Sequence, residues 1–207
     1  MATKKQSVPK APKAPKEDKP FKLSLACGDN KPEGFYGVDI AKTSSTDYVQ
    51  DLFKFPWTQF KDNSVDEIEC SHFVEHIPHG NGYEDTFFKF FDEIHRILKP
   101  AEFDPANPNI PLKGFMNIVC PYYSSMRAWQ DPTHMRAISE ASFLYLNKQW
   151  RIDNKLDHYD VTCDFDFSYG YVLTPEWQTR SQESQAFAMK HYINVISDIQ
   201  VMLVKRS

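Results

Sequence analysis

Hydrophobic alternation begins abruptly at Phe21. The run Phe21-Lys-Leu-Ser-Leu-Ala-Cys27 alternates apolar and polar positions and stops at Gly28, which predicts a strand followed by a turn. Similar short runs predict a second strand over Phe35–Ile40, a weaker third over Tyr48–Leu52 and a fourth over Val65–Cys70. The period then changes. Between Tyr83 and Leu98, the side chains of Phe87, Phe91, Ile94 and Leu98 share one face at helical spacing. Glu84 and Asp85 fall in the first turn of that helix, Arg96 and Lys99 lie near its end, and Pro100 stops it. A loop containing Pro105, Pro108 and Pro111 leads to a fifth strand over Phe115–Cys120. Residues 122–160 hold no sustained period. Alternation returns at Phe165, Phe167, Tyr169, Tyr171 and Leu173, followed by a polar helix over Arg180–Tyr192 and a last strand over Ile196–Val204.

Five strands with an interleaved helix, then two more strands, predict an α/β sandwich around a mostly parallel sheet with a reversed edge. Only Asp29–Gly34 separates the first two strands. A crossover helix needs about a dozen residues, whereas seven extended peptide steps reach roughly 23 Å, enough to return along a short strand. The first crossover is therefore expected to lack its helix.

Charge alters this picture at one end. Residues 1–20 hold six lysines against Glu17 and Asp18, a balance of +4, so the remainder carries −8 of the total of −4. The Lys/Pro-rich stretch offers nothing to bury and is expected to be a disordered tail, dispensable for folding, with the folded domain spanning 21–207. An acidic body argues against a nucleic-acid-binding surface, leaving at most a weak contact through the tail. Cys27, Cys70, Cys120 and Cys163 form no C-x-x-C pair and read as buried, reduced thiols of a cytoplasmic protein. The sequence holds no apolar run long enough to span a bilayer, so no membrane partner is expected.

The candidate chemistry sits where the predicted strands end. Leu23-Ser-Leu-Ala-Cys-Gly28 closes the first strand with small residues that let backbone approach a ligand. Asp39 ends the second, placed to accept hydrogen bonds from ribose hydroxyls, with Ile40 beside it. Asp51-Leu52 ends the third. The fourth runs into Ser71-His-Phe-Val-Glu-His76, and the helix closes on Arg96-Ile-Leu-Lys-Pro100. With Pro56-Trp57 and Asp62-Asn-Ser-Val-Asp66, this ordered set resembles the type 11 S-adenosylmethionine-dependent methyltransferases over roughly residues 21–121. The first motif has fewer glycines than that family usually carries, so the chain looks like a shortened subgroup of it.

The resemblance implies a three-layer Rossmann-like sandwich with a seven-stranded sheet and a reversed C-terminal strand. It implies S-adenosylmethionine as cofactor, held by Ala26, Cys27, Gly28, Asp39, Ile40, Asp51, Leu52 and His72. It implies transfer of a methyl group to an acceptor that the sequence leaves open: a small molecule, a sugar or a macromolecule end. Segment 122–160 is then the acceptor-side insert, with Tyr122, Tyr123, Trp129, Asp131 and Arg136 as candidate acceptor contacts. His76, His72 and His134 are the candidate bases. For Arg136 and His134, pinning the insert in place is an equally good reading. DNA-amino methylation is disfavoured, because Ser71-His-Phe-Val74 lacks the Pro-Pro-aromatic segment such enzymes place after the fourth strand.

Two rival readings remain. His72-Phe-Val-Glu-His76 also matches H-x-x-E-H, the signature of inverted zinc peptidases, which would make the chain a zinc hydrolase. The strand running straight into the motif and Pro78 just after it oppose a helix that could hold two ligands, so no resident zinc is expected. The third reading is an S-adenosylmethionine-binding module without catalysis.

Overall fold

The computed structural model describes residues 19–80 and 84–206. The expected tail lies outside the described residues up to residue 18, as does the expected helix start at Tyr83. Four short parallel strands come first: β1 (Lys22–Leu25), β2 (Tyr36–Asp39), β3 (Thr46–Val49) and β4 (Glu67–Ser71). Helix α1 (Thr86–Ile97) and a hairpin of β5 (Glu102–Asp104) and β6 (Asn107–Lys113) lead to β7 (Phe115–Pro121). The short helices α2 (Arg127–Gln130), α3 (Glu140–Leu144) and α4 (Lys148–Asp153) fill the insert. The chain ends with β8 (Phe165–Leu173), α5 (Pro175–Gln178), α6 (Gln182–His191) and β9 (Ile196–Lys205).

The main sheet has seven strands in the order β3-β2-β1-β4-β7-β9-β8, and only β9 runs against its neighbours, so the reversed strand lies one in from the edge, which β8 forms, and is not the edge expected from the sequence. This is the Rossmann-like arrangement with a reversed C-terminal strand. No helix interrupts residues 26–35, so β1 returns to β2 through a bare loop, as the spacing demands.

Register explains the core. Leu23 pairs with Ile68, Ile68 with Met116 and Met116 with Leu203, so these buried side chains share one face of the sheet. Leu25, Cys70, Ile118 and Val201 form the next row. Helix α1 lies on that face, burying Phe87, Phe90, Phe91, Ile94 and Ile97. Phe143 of α3 touches Phe91 at 6.3 Å and Phe167 of β8 at 6.1 Å between ring centroids, so it wedges the insert between helix and sheet. On the opposite face, Ser24, Glu69, Asn117 and Met202 stand in register, and all but Ser24 are half-buried. The helical cover is thus uneven.

Several motif residues prove to be staples of the fold. Arg96 donates to Glu93 at 2.9 and 2.6 Å and to Asp62 at 2.5 Å, while the buried Glu93 accepts the Trp57 amide at 2.5 Å. Lys99 donates to both oxygens of Asp66, at 2.7 and 2.8 Å, and Asp66 also accepts the Phe21 amide. The Asp-x-x-x-Asp and Arg-x-x-Lys-Pro segments therefore fasten the end of α1 to the entries of β1 and β4.

The sequence expectation differs from the structure in three places. Asp85 precedes α1 and caps it, its carboxylate accepting the Phe87 amide at 2.8 Å, so Glu84 and Asp85 are not in the first turn. The proline loop is the β5–β6 hairpin, whose side chains are mostly exposed and so carry no apolar alternation. The third strand begins at Thr46 and ends at Val49, because Asp51 and Leu52 already belong to the following turn.

Candidate active site

Parallel strands β1 and β4 are neighbours whose connections leave in opposite directions, one toward β2 and the other toward β7. The carboxyl ends at such a reversal frame the ligand crevice of open α/β sheets. Every candidate residue named above lies along this edge or on the insert beside it.

The first half of the edge is a set of tight turns. Ala26 and Gly28 take φ of 51° and 53°, left-handed values that cost an alanine energy and a glycine little. A Cβ on Gly28 would meet nothing within 4 Å, so the turn opens onto free space. Asp39 accepts the Gly28 amide at 2.9 Å through one oxygen and the Ala41 amide at 2.9 Å through the other. Ile40, next to it, is 67% exposed, an apolar surface left bare at the end of a strand. Asp51 accepts the Phe53 amide at 3.0 Å and pairs with Lys54 at 3.1 Å. The Phe53 amide foremost, with Lys54 beside it, holds the Asp51 carboxyl below its ordinary range. Leu52 is buried and belongs to the core. Phe53 stacks on Phe73 at 5.2 Å, which joins the turn after β3 to the segment after β4.

Reasoning from the sequence missed the cover of this half. Residues 43–45 cross over β2 and reach the turn after β1: Thr43 donates its hydroxyl to the Gly28 carbonyl at 2.6 Å and Ser45 donates to the Asp29 carbonyl at 2.7 Å. Gly37 makes the crossing feasible, since a Cβ there would lie 2.1 Å from the Ser45 carbonyl oxygen. The clue was a glycine inside a strand. These residues leave room at the turn and line it with a carboxylate and backbone amides. A carboxylate that accepts, with an exposed apolar side chain beside it, matches the vicinal hydroxyls and the ring of a nucleoside such as that of S-adenosylmethionine.

The second half is built by two distant segments. His72 sits in the left-handed region at φ 53°, and its amide donates to the Val119 carbonyl at 2.7 Å. Val74–His76 forms a single 3₁₀ turn. The Glu75 carbonyl accepts the Met135 and Arg136 amides at 2.8 and 3.0 Å, stitching the turn to the insert. The Glu75 side chain is 1% exposed, and neither carboxylate oxygen has a hydrogen-bond partner. His72 Nδ1 lies 3.5 Å and His134 Nε2 4.0 Å from Glu75 Oε1. The His76 and His134 rings meet edge to face at 4.7 Å. All three predicted histidines thus gather around a carboxylate that the sequence had not marked as a site residue. Its signal was the glutamate inside His72-x-x-Glu-His76.

Hydrogen bonds fix the tautomers of two of these rings. His134 Nδ1 lies 3.0 Å from the Ala128 carbonyl, which only accepts, so Nδ1 carries a proton and Nε2 holds the lone pair whenever the ring is neutral. The Thr133 hydroxyl donates to Asp131 at 2.8 Å and can then accept from His76 Nδ1 at 3.1 Å, leaving His76 Nε2 unprotonated as well. Asp131 accepts the Thr133 amide too, and the two Thr133 donors keep its carboxyl below the ordinary range. Asp131 therefore orients His76 through Thr133.

The other acceptor candidates divide into two groups. Tyr123 and Trp129 are 48% and 69% exposed, and the Trp129 indole donates to the Tyr123 carbonyl, making one open aromatic wall. Tyr122 is buried, donates to Glu140 at 2.9 Å and packs on Tyr171, and burial pushes its phenol up. Arg136 donates to the Ile77 and Pro78 carbonyls and to Asp85 at 2.8, 2.9 and 2.6 Å, and covers the Phe87 ring. Its contacts tie the insert to the start of α1. A cavity of 390 Å³ beside it is lined by His79, Phe87, Phe88, Arg136, Ile138 and Tyr145, among others. The zinc-peptidase geometry, two histidines a turn apart on one α-helix, is not formed, because residues 74–76 make only the 3₁₀ turn.

A SAM-dependent methyltransferase from Archaeoglobus fulgidus matches with a TM-score of 0.59 and 15% identity, covering 91% of this chain and 87% of that one. The YcgJ protein from Bacillus subtilis matches with a TM-score of 0.51 and 14% identity, covering 91% and 93%. The chain has the class I methyltransferase fold. No family model matches the sequence, and no curated protein does. The β1–β2 connection holds no helix, and the carboxyl edge of the sheet is in place beside it.

Proposed function

We propose that the protein binds S-adenosylmethionine along the carboxyl ends of β1–β4 and transfers its methyl group to an acceptor held between residues 72–76 and 122–136. The observation that carries this reading is the meeting of His72, His76 and His134 around Glu75 at the strand reversal, next to the Gly28–Asp39 turn. When bound, the cofactor supplies an already activated sulfonium methyl, so the protein's task is to align an acceptor and manage one proton.

The chain's own residues suit those tasks. Asp39 stands where ribose hydroxyls would replace its present amide donors, and Ile40 offers an apolar face to the adenine. Cys27 and the turn through Ala26 give the backbone close approach. Trp129 and Tyr123 form a wall for the acceptor. His76 or His134, as the neutral ring with its lone pair on Nε2, accepts the acceptor proton, with Asp131 holding His76 in line through Thr133. Arg136 and Tyr122 position the insert.

The test is to incubate the full chain with methyl-labelled S-adenosylmethionine and fractions of a metabolite extract. Label appearing in an acceptor with stoichiometric S-adenosylhomocysteine supports the reading. Binding without turnover in any fraction would favour a non-catalytic module. Absence of binding would remove both.

A further inference from the structure

Glu75 poses a separate problem. A carboxylate removed from water and given no hydrogen bond pays a large desolvation cost, which native proteins offset with a proton, a cation or a metal. No Lys or Arg side chain of the described residues forms an ion pair or hydrogen bond with it. Cys70 and Cys120 feel its charge as an upward push on their thiols, second to that of burial. The groups that face it are imidazoles.

Two of those imidazoles are prepared as ligands. His134 and His76 each direct Nδ1 to an oxygen of the insert and leave Nε2 with its lone pair. Such outer hydrogen bonds hold a metal-binding histidine in the right tautomer and ring orientation. One ligand atom from each of Glu75, His76 and His134 lies within 4.8 Å of the others. A cation bound at about 2.1 Å from each needs donor separations of about 3.0–3.4 Å, so the three side chains must close in on the ion as it binds.

From this geometry we infer that Glu75, His76 and His134 form a binding site for a divalent first-row transition metal ion. One carboxylate oxygen and two imidazole nitrogens select manganese, iron, cobalt or zinc over magnesium and calcium, which prefer all-oxygen shells. Three protein ligands leave further coordination positions to water or another ligand. The site is distinct from the H-x-x-E-H arrangement, because His72 is not a ligand and His134 comes from the insert. It also departs from the sequence expectation of no resident metal. The two uses of these lone pairs exclude each other: without the ion His76 or His134 takes the acceptor proton, and with the ion bound that role passes to His72. The metal site does not depend on the methyl-transfer reading, and its test requires no cofactor.

The test is metal binding by the full chain. The protein is stripped with chelator, then titrated with Mn²⁺ and Co²⁺ by calorimetry and by the cobalt absorption spectrum. The expected result is one ion per chain, not displaced by excess Mg²⁺. Affinity should fall by more than about a hundredfold in Glu75→Gln and in His134→Ala, and stay near wild type in His72→Ala. Should Glu75→Gln fail to fold, His76→Ala and His134→Ala carry the comparison. Folded wild-type protein that binds neither ion, or variants that bind as well as wild type, would overturn the site and leave an imidazolium as the partner of Glu75.

Discussion

The two halves of the crevice are built in opposite ways. At the β1–β3 end each acidic side chain is satisfied by its own neighbourhood: Asp39 by the Gly28 and Ala41 amides, Asp51 by the Phe53 amide and Lys54. At the β4–β7 end Glu75 is buried with no hydrogen bond, and His134 is brought to it and to the adjacent His76 from a segment far away in the chain. The first half is preorganised by turns that form with the strands. The second exists only when the insert has docked. Damage to the insert should therefore spare cofactor affinity and abolish chemistry, while damage to the turns should do the reverse.

The largest effect is expected where docking is anchored. Phe143 is fully buried between α1 and β8, so Phe143→Ala should cost about 3–5 kcal/mol in denaturant unfolding. Under conditions where the variant stays folded, methyl transfer should fall far more than affinity for S-adenosylhomocysteine. Equal loss of both would mean that the halves are not separable.

Next come the histidines themselves. His76→Ala and His134→Ala should each cut methyl transfer by about a hundredfold, near 2.7 kcal/mol of barrier, with cofactor affinity nearly unchanged. Wild-type turnover in both variants would mean that positioning alone carries the reaction. In the other half, Asp39→Ala should weaken cofactor binding by about 1.5–3 kcal/mol, measured by calorimetry, because charge-assisted hydrogen bonds are lost.

The smallest effect is an acid limit on docking. Asp85 is partly buried, which raises its carboxyl pKa, but Arg136 and the Phe87 amide outweigh that and leave it below the ordinary value. A depressed folded pKa gives stability that is present above the unfolded value of 3.8 and is lost as pH falls through the folded one. Stability measured from neutral pH downward should thus decline more steeply below about pH 4 in wild type than in Asp85→Asn. Parallel profiles would mean that the Asp85–Arg136 pair contributes nothing to docking.

The contrast also explains what the sequence made legible. Alternation located the strands because their rows, such as Leu23, Ile68, Met116 and Leu203, are buried on one face. The six residues between Cys27-Gly28 and Phe35 excluded a crossover helix by length alone, and the structure has none. Asp39 and the Gly28 turn could be read because their geometry is local. The β5–β6 hairpin was hidden by exposure and by Pro108 and Pro111, and α3 and α4 by their brevity. Glu75 was hidden by distance. Its partner His134 is brought near by the Glu75 carbonyl accepting the Met135 and Arg136 amides, a contact that no local pattern encodes. The resemblance motifs were legible as markers, yet Arg96, Lys99, Asp62 and Asp66 turn out to fasten the sheet rather than touch the crevice.

The central claim is that the Gly28–Asp39 turn holds S-adenosylmethionine in a methyltransferase fold. Calorimetric titration of the full chain with S-adenosylmethionine, wild type beside Asp39→Ala, tests it most directly. The account predicts one cofactor bound per wild-type chain and an affinity reduced about ten- to a hundredfold in the variant, the equivalent of the lost hydrogen bonds. A folded wild-type protein that binds no cofactor, or an Asp39→Ala variant that binds it as tightly, would contradict the account.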